Sequence, residues 1–125
     1  MQLTKNFDID EFACKDGTDV PESLYGNVSE LAKNLQVLRD EVNIPIYVLS
    51  GYRTRSHNDR VGGAKHSQHL LAKASDIRIT GFSPMQVYSK IEELIKAGKM
   101  EQGGLGRYKT FVHYDVRGVK ARWLA

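Results

Sequence analysis

At 125 residues, with 41% apolar and 26% charged side chains, the chain holds the material of one ordinary globular domain, residues 1–125, and little room for a second. Its formal charge of +3 is scattered with no run of five or six Lys or Arg, which argues against nucleic acid as a partner. No stretch approaches the ~18 apolar residues of a membrane span, and the one cysteine excludes an internal disulfide and a metal centre built on several thiolates.

The start, Met1-Gln2-Leu3-Thr4-Lys5-Asn6, lacks the apolar core of a signal peptide, so synthesis in the cytoplasm is expected. Residues 8–13 read as one helical turn, capped by Asp8 with Glu11 three residues later. Cys14 behind it reads as a small buried apolar residue, and a turn-rich stretch runs through Asp16-Gly17 to Pro21. From Val28 to Val42 the positions Val28, Leu31, Leu35, Leu38 and Val42 recur at intervals of three and four, an amphipathic helix that Asn43 and Pro45 end. Ile46-Tyr47-Val48-Leu49 predicts a short buried strand stopping at Ser50-Gly51.

Residues 54–72 are polar, carry Gly62-Gly63 and predict an irregular excursion with one short helix. Ala74 to Ile79 alternates as a strand, with Ile77 and Ile79 on one side and Asp76 and Arg78 on the other. Ser83-Pro84-Met85-Gln86 is a capping box with Pro at the first helical position. The helix it opens turns Val87, Tyr88, Ile91, Leu94 and Ile95 inward and ends near Gly98. Two closing strands follow Gly103-Gly104, at about 105–108 and 111–116. The order of elements predicts an α+β domain: a small, mostly antiparallel sheet with helices packed on one side.

The chemistry gathers around four histidines, His57, His66, His69 and His113. His69 precedes Asp76, an acidic residue within an otherwise apolar strand. A buried carboxylate there needs an ion pair, with Arg78 or Arg53 as partner, or a metal. In the closing strand, period two sets Phe111, His113, Asp115 and Arg117 on one face and Val112, Tyr114 and Val116 on the other. That polar face is either solvated or the lining of a cleft. If His69, Asp76 and His113 converge, they make a two-nitrogen, one-oxygen set with an open position, the arrangement of a catalytic zinc. Such an ion polarises a carbonyl and acidifies water, which brings amide hydrolysis within reach at neutral pH.

Beyond this reasoning, Ser50-Gly51-Tyr52-Arg53-Thr54, Val61-Gly62-Gly63-Ala64 and Ser67-Gln68-His69-Leu70 with Ala72, Ala74 and Asp76 resemble the zinc D-Ala-D-Ala carboxypeptidase family. Its wider clan includes phage L-alanyl-D-glutamate endolysins, vancomycin-resistance dipeptidases and, by fold, the Hedgehog signalling domain. Phe7 to Cys14, Leu35-Gln36-Val37-Leu38-Arg39, Gly104 to Tyr108 and Val112 to Gly118 extend the likeness over nearly the whole chain. The resemblance implies one zinc per chain on His69, Asp76 and His113. It places Arg53 where it supports the scissile carbonyl or a substrate carboxylate, Ser67 and Gln68 beside the substrate, and Tyr108 and Arg117 on the cleft wall.

Two residues depart from the family pattern. Ala72 stands where the pattern has glycine, and Thr110 stands where several relatives place an acidic general base, a role threonine cannot take. Asp115 and His66 are the substitutes read from the sequence. The implied activity is zinc-dependent hydrolysis of peptidoglycan stem peptide by a monomer, as a D,D-carboxypeptidase or an endopeptidase. Without a leader, such an enzyme would reach the wall after release, as a phage or prophage protein. The alternative is a non-catalytic wall-binding or phage structural module that keeps the fold.

Overall fold

Burial of Val28, Leu31, Leu35 and Leu38 on one stripe fixes helix α1, Tyr25–Val42, in the computed structural model, which describes all 125 residues. The helix starts one turn earlier than predicted, behind a 3₁₀ segment at Glu22–Leu24. Asn43 ends it in the left-handed region, φ 53, donating its N–H to the Arg39 carbonyl. The predicted turn near the N-terminus is a 3₁₀ segment, Ile9–Phe12, with the Asp8–Glu11 capping box in place. Cys14 is free and buried, as read. The excursion resolves into helix α2, Arg55–Arg60, and a 3₁₀ segment at Gln68–Leu71. Helix α3, Pro84–Lys96, opens on the Ser83–Gln86 capping box and buries Val87, Ile91 and Leu94. No helix is long and apolar enough to cross a membrane.

Five strands form one sheet: β1 (Ile46–Ser50), β2 (Ala74–Ile79), β3 (Gly104–Arg107), β4 (Val112–Asp115) and β5 (Ala121–Leu124), in the order β1-β2-β4-β3-β5. Every pairing is antiparallel except β3 with β5. Ile77, Leu105, Val112 and Tyr114 face α1 and α3 and close the core with them. The α+β class with helices over one face is therefore as predicted. Two expectations need correction. β1 is an edge strand rather than a buried one: Ile46 is buried, but Tyr47 and Leu49 are 46% and 38% exposed, because only β2 pairs with it. The closing strands are shorter than expected, and a further strand, β5, lies beyond them.

The opposite face of the sheet carries the polar residues. Ser50 pairs with Asp76, Asp76 with His113, His113 with Gly106, and Gly106 with Trp123. Directly paired residues share a face, so one row of side chains crosses all five strands. A register shift between Val48 and Ser50 brings Ser50 into this row. At Gly106 a Cβ would lie 2.2 Å from Trp123 Nε1, so the missing side chain is what admits the indole.

Beside the row, Gly51 packs directly on the N-terminal turn. Its Cβ would meet Phe12 Cα at 2.7 Å and Phe12 O at 2.8 Å, both backbone atoms, while Tyr52 N–H donates to that same Phe12 O at 2.8 Å. The backbone would have to move. Gly51→Ala is expected to destabilise the fold by about 1–3 kcal/mol. This should be read as a lower denaturant midpoint at unchanged slope.

Candidate metal centre

β2 and β4 are antiparallel neighbours with Asp76 opposite His113, and the 3₁₀ segment Gln68–Leu71 brings His69 over the same row. Ser67 caps that segment by accepting the His69 N–H, and Ala72 ends it in the left-handed region at φ 55. The position that departs from the family glycine is thus strained. The methyl of Ala72 is buried in the core, which offsets part of a cost of about 1–2 kcal/mol. His69 Nε2 lies 3.3 Å from Asp76 Oδ1, and His113 Nδ1 lies 3.2 Å from the same oxygen. The edge of a tetrahedron built on zinc–ligand bonds of ~2.0–2.2 Å is about 3.3–3.6 Å.

The protons on the two rings can be placed. His69 Nδ1 is 2.7 Å from the Gly51 carbonyl, which only accepts, so Nδ1 carries a hydrogen and Nε2 is the nitrogen left to face Asp76, with a lone pair when it binds a metal. His113 Nε2 is 2.7 Å from Asp115 Oδ2. Asp115 in turn takes the Gly104 N–H at 2.9 Å and the Arg117 guanidinium through Nε and Nη2, the latter at 2.7 Å. That carboxylate also only accepts, so Nε2 is the protonated nitrogen and Nδ1 faces Asp76. Two lone pairs and an anionic oxygen meet at one point, where only a cation satisfies all three. Hydrogen bonding of each ring's far nitrogen to a carbonyl or carboxylate is how metal-binding histidines are held. The donor set fits zinc.

The charges follow the same geometry. Where a proton rather than a metal ion sits between the donors, burial would raise Asp76, but the hydrogen bonds from His113 and His69 outweigh it and hold its carboxyl well below its usual range. Asp115 is held down likewise, burial being outweighed by His113, Arg117 and the Gly104 amide. Burial would lower His113, yet its bonds to Asp115 and Asp76 prevail and raise it. Arg53 completes the surround: Nη2 donates to Asp76 Oδ2 at 3.2 Å, Nε to Ser50 Oγ at 3.1 Å and Nη1 to Asn58 Oδ1 at 3.2 Å. The ion pair and the metal arrangement, weighed as alternatives for Asp76, coexist on its two oxygens.

His69, Asp76 and His113 line a cleft of about 550 Å³ together with Arg53, His66, Ser67, Gln68, Tyr108 and Arg117. Asp115 does not line it. Its side chain is fully buried behind His113 with both oxygens engaged, which leaves no lone pair free for a proton from the cleft. The choice of Asp115 as substitute base overlooked that the polar face of β4 is itself covered at this position. Thr110 is exposed and also outside the cleft. Apart from Asp76, no carboxylate lines the cleft, and His66 is the one imidazole there outside the ligand set.

Sequence reasoning missed Trp123, which β5 delivers to the cleft with its ring 5.0 Å from that of His113. Its Nε1 donates to the Tyr108 hydroxyl at 3.0 Å, Tyr108 stacks on Phe111 at 4.5 Å, and the Arg117 guanidinium lies 5.5 Å from the indole centre. The signal was the pair Gly104 and Gly106 in β3, a strand with no side chains on the cleft face, which requires a bulky neighbour to fill the gap.

Comparison with known proteins agrees with this geometry. The family model described as Peptidase M15 matches residues 3–115. The chain is 35% identical over 101 residues to a Haemophilus influenzae protein named "Probable peptidoglycan L,D-endopeptidase MepK", a match covering 75% of this chain and 51% of that protein. The chain therefore spans about half the length of this relative. The span matched by the family model holds His69, Asp76 and His113, whereas Arg117 and Trp123 fall outside it.

Two outcomes are expected. In chelator-treated protein, Asp76 and Asp115 stabilise the fold above about pH 4 and lose that contribution as the pH falls. His113 stabilises it below about pH 6.5 and loses that contribution as the pH rises through its raised folded value. The thermal midpoint should therefore peak between these limits, and His113→Gln should abolish the alkaline decline. Asp115→Asn should weaken zinc affinity by ~10–100-fold in a competition titration; unchanged affinity would mean that the carboxylate does not support His113.

Proposed function

The chain belongs to the peptidase M15 family, and on that premise we propose that it hydrolyses peptide bonds of peptidoglycan with a zinc ion held by His69, Asp76 and His113. The observation that carries this reading is the convergence of two imidazole lone pairs on one Asp76 oxygen at the floor of an open cleft. A zinc ion there supplies Lewis acidity to an amide carbonyl and acidifies water. The protein's own residues do the rest. Arg53 donates to Asp76 Oδ2 and so orients the carboxylate, and its guanidinium lines the cleft where a carbonyl oxygen gains charge. His66 is the cleft group placed to move a proton, since no free carboxylate is available there. Ser67 and Gln68 border the peptide on one side, and Tyr108 with Trp123 form an apolar wall on the other.

The finer choice falls on an endopeptidase. A carboxypeptidase needs a free cation for the terminal carboxylate of its substrate. Both cleft arginines are already paired, Arg53 with Asp76 and Arg117 with Asp115. The name of the Haemophilus influenzae relative points the same way.

The test is digestion of purified muropeptides, read by mass spectrometry beside zinc analysis, for wild type and His113→Ala. Wild type is expected to cut an internal bond of the stem peptide, and the variant to lose this metal and the hydrolysis together. Release of free D-alanine alone would replace the endopeptidase by a carboxypeptidase. Zinc on these ligands with no cleavage would favour a wall-binding module, and a site that takes up no metal would sink the proposal.

A further inference from the structure

A second set of donors gathers away from the cleft, where the turn after the first 3₁₀ segment meets the start of α2. Cys14 Sγ, a carboxylate oxygen of Asp16 and a ring nitrogen of His57 all lie within 4.8 Å of one another. Thr54 ties the three together. Its hydroxyl donates to Asp16 Oδ2 at 2.8 Å, accepts the backbone N–H of His57 at 3.2 Å and lies 4.0 Å from Cys14 Sγ.

Two observations single this cluster out. His57 Nδ1 is the one buried side-chain nitrogen or oxygen in the protein with no hydrogen-bond partner. Such a group costs its full desolvation unless something binds it, and a neutral imidazole nitrogen is a metal ligand. The charge also balances: a thiolate and a carboxylate beside a neutral imidazole offset a divalent ion. Asp16 is already ionised, because the Thr54 hydroxyl and the Thr18 amide bond to it and hold it well below the usual carboxylate range.

We propose that Cys14, Asp16 and His57 form a second metal site, selective for zinc or a similarly thiophilic divalent ion, independent of the His69–Asp76–His113 set. Thiolate and imidazole together favour such ions over magnesium or calcium. The donors lie within 4.8 Å of one another, against about 3.3–3.8 Å between the ligand atoms of a zinc tetrahedron. Asp16 is exposed, so its side chain is free to close the gap, and solvent completes the coordination on that side. A single cysteine excludes only a centre built on several thiolates, and here nitrogen and oxygen donors supply the rest. The bound ion would pin the N-terminal segment to α2 next to Arg53 and so steady the cleft wall that Arg53 belongs to.

Cobalt(II) titration of reduced, metal-free protein tests this, because the cleft set contains no sulfur. Wild type is expected to show a thiolate-to-cobalt charge-transfer band in the near ultraviolet and to bind one equivalent beyond that held in the cleft. His113→Ala should keep the band. Cys14→Ser and His57→Ala should each lose it with one equivalent, while retaining the visible cobalt absorption of the cleft site. His57 is only half-buried on a six-residue helix, so His57→Ala keeps the test decisive if Cys14→Ser fails to fold. No charge-transfer band at saturating cobalt, or a band that survives His57→Ala, overturns the proposal. A missing visible absorption with the band intact would instead count against the cleft site.

Discussion

An anionic oxygen of Asp76 faces two imidazole nitrogens whose hydrogens are both engaged on the far side of their rings. This opposition governs the rest of the structure. In a buried setting the repulsion of like partial charges is felt at several times its strength in water, and a bare carboxylate there is costly. A cation at the common point of the three donors would reverse the sign of every interaction. A proton is the other cation that serves, and although burial opposes it, the bonds of His113 to Asp115 and then Asp76 prevail and raise its affinity for one.

What fixes the donors is a layer of hydrogen bonds behind them. Gly51 offers its carbonyl to His69, and Gly51 sits where it does because its bare α-carbon rests on Phe12. The N-terminal turn, far from the cleft in sequence, is thus part of the support of a ligand. The Arg53 amide donates to the His69 carbonyl at 3.0 Å while its guanidinium holds Asp76, so one residue ties two ligands to the end of β1. On the other side Arg117, Asp115 and His113 form a chain in which each charge orients the next.

Much of this could be read from the residues. The intervals of three and four in α1 and α3, the Ser83 cap, and the alternation of Asp76 with Ile77 and Ile79 are local signals, and each element formed where its signal lay. The polar face of β4 was legible for the same reason. The failures share a cause, which is that burial depends on neighbours distant in sequence. Period two put Asp115 on the cleft face, but the Arg117 guanidinium and the Gly104 amide close over it. Tyr47 and Leu49 looked like core residues until the strand order put β1 at an edge. Trp123 carries no periodic signal of its own. It matters because Gly106, on another strand, leaves it a place.

The row from Ser50 to Trp123 also bears on how the chain finds its pairing. In β2 Asp76 and Arg78 alternate with Ile77 and Ile79, and in β4 His113 and Asp115 alternate with Val112 and Tyr114. Sliding β4 by one position would thrust His113 and Asp115 into the apolar interior and expel Tyr114 into water. Each misaligned pairing would strand ionised groups without solvent, a penalty far above that of a merely hydrophobic mismatch. The polarity of this face thereby proofreads the assembly of the sheet, rejecting slipped strands.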